Sequence, residues 1–358
     1  MQSETGRLLT QSAALREALA QALAKDERVI VVGEGVPDPK GVFGTTSGLR
    51  QEFGAARVFD SPLSENGMTG ICIGAAIAGM RPVMVHQRID FALLAMDQIV
   101  NNAAKWHYMF AGQVSIPLVI RVLVGRGWGP GPQHAQSLQA LFAHIPGLKV
   151  VMPTSAYDAK GMLLAAIEDD NPVIFIEHRW LHGIEDRVPY EAYTVPLDRA
   201  LVLRSGHDAT LVAFSFMAVE ALLAAEALAE HGIELEVIDA RSVRPLDLPT
   251  IVESVNRTGT LVVADTAWKT GGIAGEVIAA VSERAFKALK RAPLRIALPD
   301  YPTPTSHHLV RDYYPDALTL ARQVAAHLGC SIRDEALVAR LARTTPCDVP
   351  QQDFRGPF

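Results

Sequence analysis

Glu65 lies in Pro62-Leu63-Ser64-Glu65-Asn66-Gly67, where a strand expected at 57–60 gives way to a helix. Gly67, Gly70, Gly74, Ala75, Ala78 and Gly79 leave that helix little side chain, so another backbone can approach it closely. A carboxylate at a helix mouth gains only about 0.3–1 kcal/mol from the macrodipole, which makes acid–base chemistry the alternative to a structural role. His134 ends the run Gly125-Arg126-Gly127-Trp128-Gly129-Pro130-Gly131-Pro132-Gln133. A loop so rich in Gly and Pro presents a histidine rather than packing it, and an imidazole transfers protons near neutral pH. Arg126 either assists an anionic substrate or sits in a surface salt bridge. Glu34, in Gly33-Glu34-Gly35, ends an expected strand, where open α/β sheets place ligands; a plain loop acid is the other reading. His86-Gln87-Arg88-Ile89-Asp90 brings hydrogen-bonding groups and a positive charge just before Phe91, unless Arg88 only pairs with Asp90. His307 and His308 are adjacent, so a strand would point them to opposite faces; this reads as a solvated pair and not a metal site.

The elements that must position these residues alternate between short apolar runs and helical patterns. Strands are expected at 28–33, 57–60, 82–86, 116–124, 148–152 and 172–177, and helices at 13–25, 65–80, 91–109 and 156–168. Leu15, Leu19 and Leu23 share one face of the first helix. This order predicts a mostly parallel sheet covered on both faces. Residues 178–199 break into charges and prolines and read as a linker. A second α/β set follows, with strands at 209–214, 234–239, 261–265 and 294–297 and helices at 218–230 and 272–290. The expected domains are therefore 1–190, 191–330 and a tail, 331–358, whose terminal Phe354 and Phe358 either fray or dock on a partner.

Composition narrows the function classes. With 358 residues, 49% hydrophobic and 20% charged, the chain has enough apolar material for two cores. A formal net charge of −6 offers no basic field for nucleic acid or an anionic membrane. No uncharged run approaches the roughly 20 residues that span a bilayer. Three cysteines, Cys72, Cys330 and Cys347, lack metal-ligand spacing and fit a reducing, cytoplasmic compartment.

Taken in order, GEG, SEN-G, DQIVNNAAK, QHAQS, PGLKVV-P, DAKG and DDNPV-F-E resemble the beta subunit of the heterotetrameric thiamine-diphosphate-dependent 2-oxo acid dehydrogenases, from about Ala13 to Ala326. The pyruvate and branched-chain dehydrogenase beta subunits are the familiar members. The resemblance implies a pyrimidine-binding α/β domain followed by a transketolase C-terminal-like domain. It makes Glu65 the acid that bonds a ring nitrogen of the aminopyrimidine and drives its imino tautomer, whose nitrogen takes the thiazolium proton. A carboxyl group doing this must hold or share a proton, which burial favours. Phe91 falls at the position of the aromatic that stacks on the aminopyrimidine, and Leu63 and Glu34 fall among the cofactor contacts. His134 would touch the substrate carboxylate or the acyl intermediate, with Arg88 and Arg126 as further substrate residues. Leu118, Ala166, Ile167, Asp169 and Asn171 match the region where some relatives hold a structural potassium ion.

Two departures matter. Where the familiar dehydrogenases carry an apolar, aromatic stretch, this chain has His86–Asp90, which leaves the substrate open. The family binds the cofactor diphosphate through Mg²⁺ with a Gly-Asp-Gly motif, which this chain lacks and the alpha subunit carries in split members. The chain is thus expected to hold only the pyrimidine half, in an α2β2 assembly, and to be inactive alone. The reaction expected is decarboxylation of a 2-oxo acid and acyl transfer to the lipoyl group of an acyltransferase partner. A ketose-phosphate or acyloin-type two-carbon transfer, or a non-catalytic scaffold subunit, are the alternatives.

Overall fold

The computed structural model describes residues 6–126 and 129–349. Its contacts divide the chain into two units: the part up to Gly125 with Leu141–Leu197, and Arg126–Ala140 with Asp198 onward. The terminal segment from 350, including the expected docking phenylalanines, lies outside the described residues, as do Gly127 and Trp128.

The first unit opens with β1 (Arg7–Thr10), whose last residue caps the helix Gln11–Lys25: Thr10 Oγ1 accepts from Ala13 N–H at 3.3 Å. Leu15, Leu19 and Leu23 are buried, as the spacing requires. The chain then lays down β2 (Val29–Gly33), β3 (Val58–Phe59), β4 (Arg81–His86), β5 (Val119–Val124), β6 (Lys149–Val151) and β7 (Val173–His178). These strands lie in the order β6-β7-β5-β4-β2-β3, every pair parallel. Helices Gln11–Lys25 and Ala156–Glu168 pack on one another, with their apolar faces in the core formed with β2, β4, β5 and β7. β8 (Glu185–Val188) pairs antiparallel with β1. The expected linker therefore begins as part of the first unit.

The stretch expected as one helix, 91–109, is broken instead. It runs as a helix at Ile89–Ala92, a 3₁₀ turn at Leu93–Ala95, a π turn at Gln98–Ala103 and a helix at Trp106–Met109. The Asp97 and Gln98 side chains accept from Asn101 at 2.7 Å and Asn102 at 3.1 Å, local bonds that the apolar pattern does not report.

The second unit holds β9 (Leu201–Arg204), β10 (Ala209–Ala213), β11 (Leu235–Asp239), β12 (Ser242–Arg244), β13 (Leu261–Trp268) and β14 (Leu294–Leu298). Its sheet runs β14-β13-β10-β11-β9, parallel except for the edge strand β9. Helices Phe216–Ala229 and Ala317–Leu328 cover it on the side that holds the core. The expected tail is partly helical: Asp334–Leu341 folds onto this core through the buried Leu337.

Candidate active site

In the first unit, β2 leads outward to β3, while β4 leads the other way to β5. The gap between β2 and β4 is therefore a topological switch point, and the C-terminal ends of these strands border a natural ligand crevice. Glu34 follows β2, Glu65 opens the helix after β3, and Gln87 and Arg88 follow β4. The crevice is tied across: Gln87 Nε2 donates to the Glu34 carbonyl at 3.0 Å. Asp60 braces the floor, its Oδ1 accepting from Gly35 N–H and Ser61 N–H, each at 3.0 Å. Burial, with the negative charges of Glu65 and Asp60, raises the Glu34 carboxyl above its ordinary range. Glu34 and Glu65 are thus electrostatic neighbours.

Glu65 is the first residue of the helix Glu65–Ile77 and is half-buried. Among the described residues its side chain makes no hydrogen bond or ion pair. The helix buries Thr69, Cys72, Ile73 and Ala76 against the unit. Gly70 lets Gln98 approach: a Cβ there would meet Gln98 Oε1 at 3.2 Å. The opposite face is open. Gly74 has nothing within 4 Å of where a Cβ would be, Leu63 is 83% exposed and Ile71 62%. Leu94, Tyr108, Met109 and Phe110 are exposed as well. Phe91 sits half-buried on the short helix after β4, its N–H donating to the Arg88 carbonyl at 3.2 Å. His86, at the end of β4, is buried, and burial holds its imidazole down to about 4, so it is neutral at physiological pH.

His134 belongs to the second unit. Its loop is fastened within that unit at both ends. At one end Arg126 donates to the Pro315 carbonyl at 3.0 Å and to Glu220 at 3.3 Å, with its Cζ about 5 Å from the rings of Phe216 and Tyr314. At the other, Gln139 Nε2 donates to Asp265 at 2.6 Å and to Thr266 at 3.2 Å. Gly129 and Gly131 both pack against Thr305. Arg126 is only 5% exposed, so the ion pair it makes, with Glu220, is a buried one and not a surface one. Neither Glu220 nor Gln139 could be singled out from sequence, because their partners are about 90 and 130 residues away. His307, expected to be solvated, bonds Asp348 through Nδ1 at 2.7 Å, while His308 is exposed.

The residues expected around potassium are close together, but protein cations serve them. Arg81 Nη1 donates to the carbonyls of Ile167 at 2.9 Å and Asp169 at 3.1 Å. The Leu118 carbonyl accepts from Val173 N–H at 2.9 Å. The Asp169 carboxylate pairs with Lys149 and accepts from Asn171 N–H at 2.9 Å; Ala166 is buried in the adjoining helix. Two fixed positive charges at these oxygens fit a potassium ion poorly.

Two α/β units in series, the first with an acid-rimmed switch point, define a transketolase-type architecture. Residues 8–183 match the transketolase pyrimidine binding domain and 198–319 the transketolase C-terminal domain. The chain is 44% identical to the beta subunit of acetoin:2,6-dichlorophenolindophenol oxidoreductase of Cupriavidus necator, over 88% of this chain and 96% of that one. It is 42% identical to the beta subunit of the pyruvate dehydrogenase E1 component of Rhizobium meliloti, over 89% of this chain and 69% of that one. The acetoin enzyme's beta subunit from Bacillus subtilis is 41% identical over 86% and 94%. A solved split-gene transketolase, an inactive beta4 tetramer, shares the fold with a TM-score of 0.74 at 23% identity, over 90% of this chain and 99% of that one. The chain belongs to the family of transketolase-like dehydrogenase E1 beta subunits. Among the described residues no helix is long and apolar enough to cross a membrane.

Proposed function

We propose that this chain is the beta subunit of a thiamine-diphosphate-dependent 2-oxo acid dehydrogenase, holding the pyrimidine end of the cofactor. The observation that carries the reading is Glu65, an acid without a partner among the described residues, at the first residue of a helix beside the switch point. The donor set suits an aminopyrimidine: a carboxyl for a ring nitrogen, a half-buried aromatic at Phe91 and an apolar edge at Leu63. Thiamine diphosphate, when bound, supplies the carbanion chemistry that lets a 2-oxo acid lose carbon dioxide. Glu65 holds a proton at the pyrimidine nitrogen. Glu34, its carboxyl raised by burial and by the nearby Glu65 and Asp60, stands close by as a second acid. His134 exchanges protons with the substrate.

The open face around Gly67, Ile71 and Gly74 is the surface on which the alpha subunit docks, bringing Mg²⁺ and the diphosphate site in an α2β2 assembly. The acyl acceptor is the lipoyl group of an acyltransferase. Three free cysteines fit the cytoplasm. The acetoin relatives keep acyloin cleavage as a second reading of the donor. Calorimetric titration of thiamine diphosphate with Mg²⁺ tests the assignment. Tight binding only after mixing with the alpha subunit supports it. Tight binding to the lone chain contradicts the split site, and no binding by a complex shown to form supports a scaffold instead.

A further inference from the structure

The second unit has a switch point of its own. β10 leads one way to β11, while β13 lies on its other side and leads on to β14. The C-terminal ends of β10 and β13 therefore border the place where such a sheet takes a ligand. Here the chain's own segment 126–140, which belongs to this unit, is tied to both sides of that place. Arg126 bonds Glu220 on the helix that follows β10. Gln139 bonds Asp265, which comes directly after Ala264, the last β13 residue paired with β10.

Asp265 and Gln139 are both fully buried. Burial raises the Asp265 carboxyl to about 6, and the groups that pull it back are neutral: the Gln139 amide and the backbone N–H groups of Ala267, Thr266 and Ile273. A buried carboxyl held by neutral donors costs a fold stability. Its effect is a fixed loop end. Gln139 Nε2 reaches Asp265 Oδ1 at 2.6 Å, a short bond of the charge-assisted kind. Gly272 keeps the other oxygen uncrowded, a Cβ there lying 3.4 Å from Asp265 Oδ2.

Between His134 and Gln139 burial alternates. Ala135, Ser137 and Gln139 are buried, whereas His134, Gln136 and Leu138 are half-buried. The residue that Asp265 grips thus lies on the held side of the segment and His134 on the open side. A slip of one residue would turn His134 inward, by the same parity that governs a strand, and the bond to Asp265 opposes it. Upstream, Gly131 has φ +74° and lies where a Cβ would meet Thr305 Oγ1 at 2.8 Å.

We propose that Asp265, acting through Gln139, is a positioning residue for His134: it sets the parity of the loop and so the side to which the imidazole is presented. The inference rests on the reading under Proposed function, which gives His134 its proton exchange with the substrate.

The test uses Asp265→Asn and Gln139→Leu in the full chain, each alone and with His134→Ala, assembled into the heterotetramer. Amide hydrogen exchange of residues 129–138 is read before the cofactor is added, so it needs no turnover. Either substitution should speed that exchange about tenfold or more while β10 and β13 keep wild-type protection. With thiamine diphosphate and Mg²⁺ bound, each should lower kcat about tenfold or more and leave the donor KM within about twofold. In the His134→Ala background each should cost less than about twofold further, since a residue that acts through His134 has nothing left to position. Wild-type exchange in the loop overturns the proposal, and so does a loss of kcat of the same size with and without His134. If Asp265→Asn loosens the strands as well, Gln139→Leu, which leaves the carboxyl in place, decides. Wild-type turnover by His134→Ala counts against the proton role under Proposed function, and the loop exchange then decides whether Asp265 holds the loop.

Discussion

Arg126 and Glu220 form a buried ion pair at 3.3 Å, and the other oxygen of Glu220 accepts from Ala317 N–H at 2.7 Å. One carboxylate thereby fastens both the His134 loop and the start of the helix Ala317–Leu328. Arg343 stands 3.6 Å from it as a second cation. Replacing Arg126 by Met should lower the melting temperature and slow turnover, while leaving the donor KM within about twofold; breaking a buried pair costs about 3–5 kcal/mol. A tenfold rise in KM at unchanged melting temperature would restore Arg126 as a substrate contact.

His86 should make the fold acid-sensitive. Its imidazole titrates near 4 when folded, because burial disfavours the charged form, against an ordinary value of 6.5. The unfolded chain takes up the proton first. Stability is therefore full above pH 6.5 and falls as pH drops from 6.5 towards 4, by about 3 kcal/mol in all. His86→Phe should flatten that limb in chemical denaturation measured at pH 4.5 and 7.5. An unaltered pH slope would show that His86 is not its origin.

Within β5 and β7, Arg121 Nε donates to Glu177 at 2.6 Å, and His182 Nε2 meets the other oxygen at 3.1 Å, all three fully buried. Burial alone would raise Glu177, yet Arg121 and His182 outweigh it and hold the carboxyl down to about 2. Its contribution is present above the ordinary carboxylate pKa and is lost as pH falls from about 4 to 2. Glu177→Gln at pH 7 strands the Arg121 charge and should destabilise the protein by about 3–5 kcal/mol. Thermal unfolding shifted by less than a degree or two would contradict this.

Arg81 bridges the Ile167 and Asp169 carbonyls, two of the groups expected around a potassium ion. Exchanging potassium for sodium at constant ionic strength should leave the melting temperature unchanged, whereas Arg81→Gln should lower it. A stabilisation specific to potassium would reinstate the cation site.

How far the sequence reached depended on how local each signal was. The parallel sheet of the first unit and the Leu15–Leu19–Leu23 face follow from apolar periodicity, which is a property of neighbours. Glu65 and Glu34 were legible because both sit where a strand ends. The break in 91–109 was masked by apolar residues that suit a helix equally well. The partner of Arg126 was not legible because its counter-charge, Glu220, comes from a distant helix. Long-range ion pairs leave no trace in local pattern.

The most direct measurement is turnover of the reconstituted heterotetramer carrying Glu65→Gln, with thiamine diphosphate affinity determined on the same protein. If Glu65 holds the proton at the pyrimidine nitrogen, kcat should fall by about 10²–10⁴-fold while the cofactor still binds within about tenfold of wild type. Turnover equal to wild type would contradict the mechanism and leave this chain a scaffold.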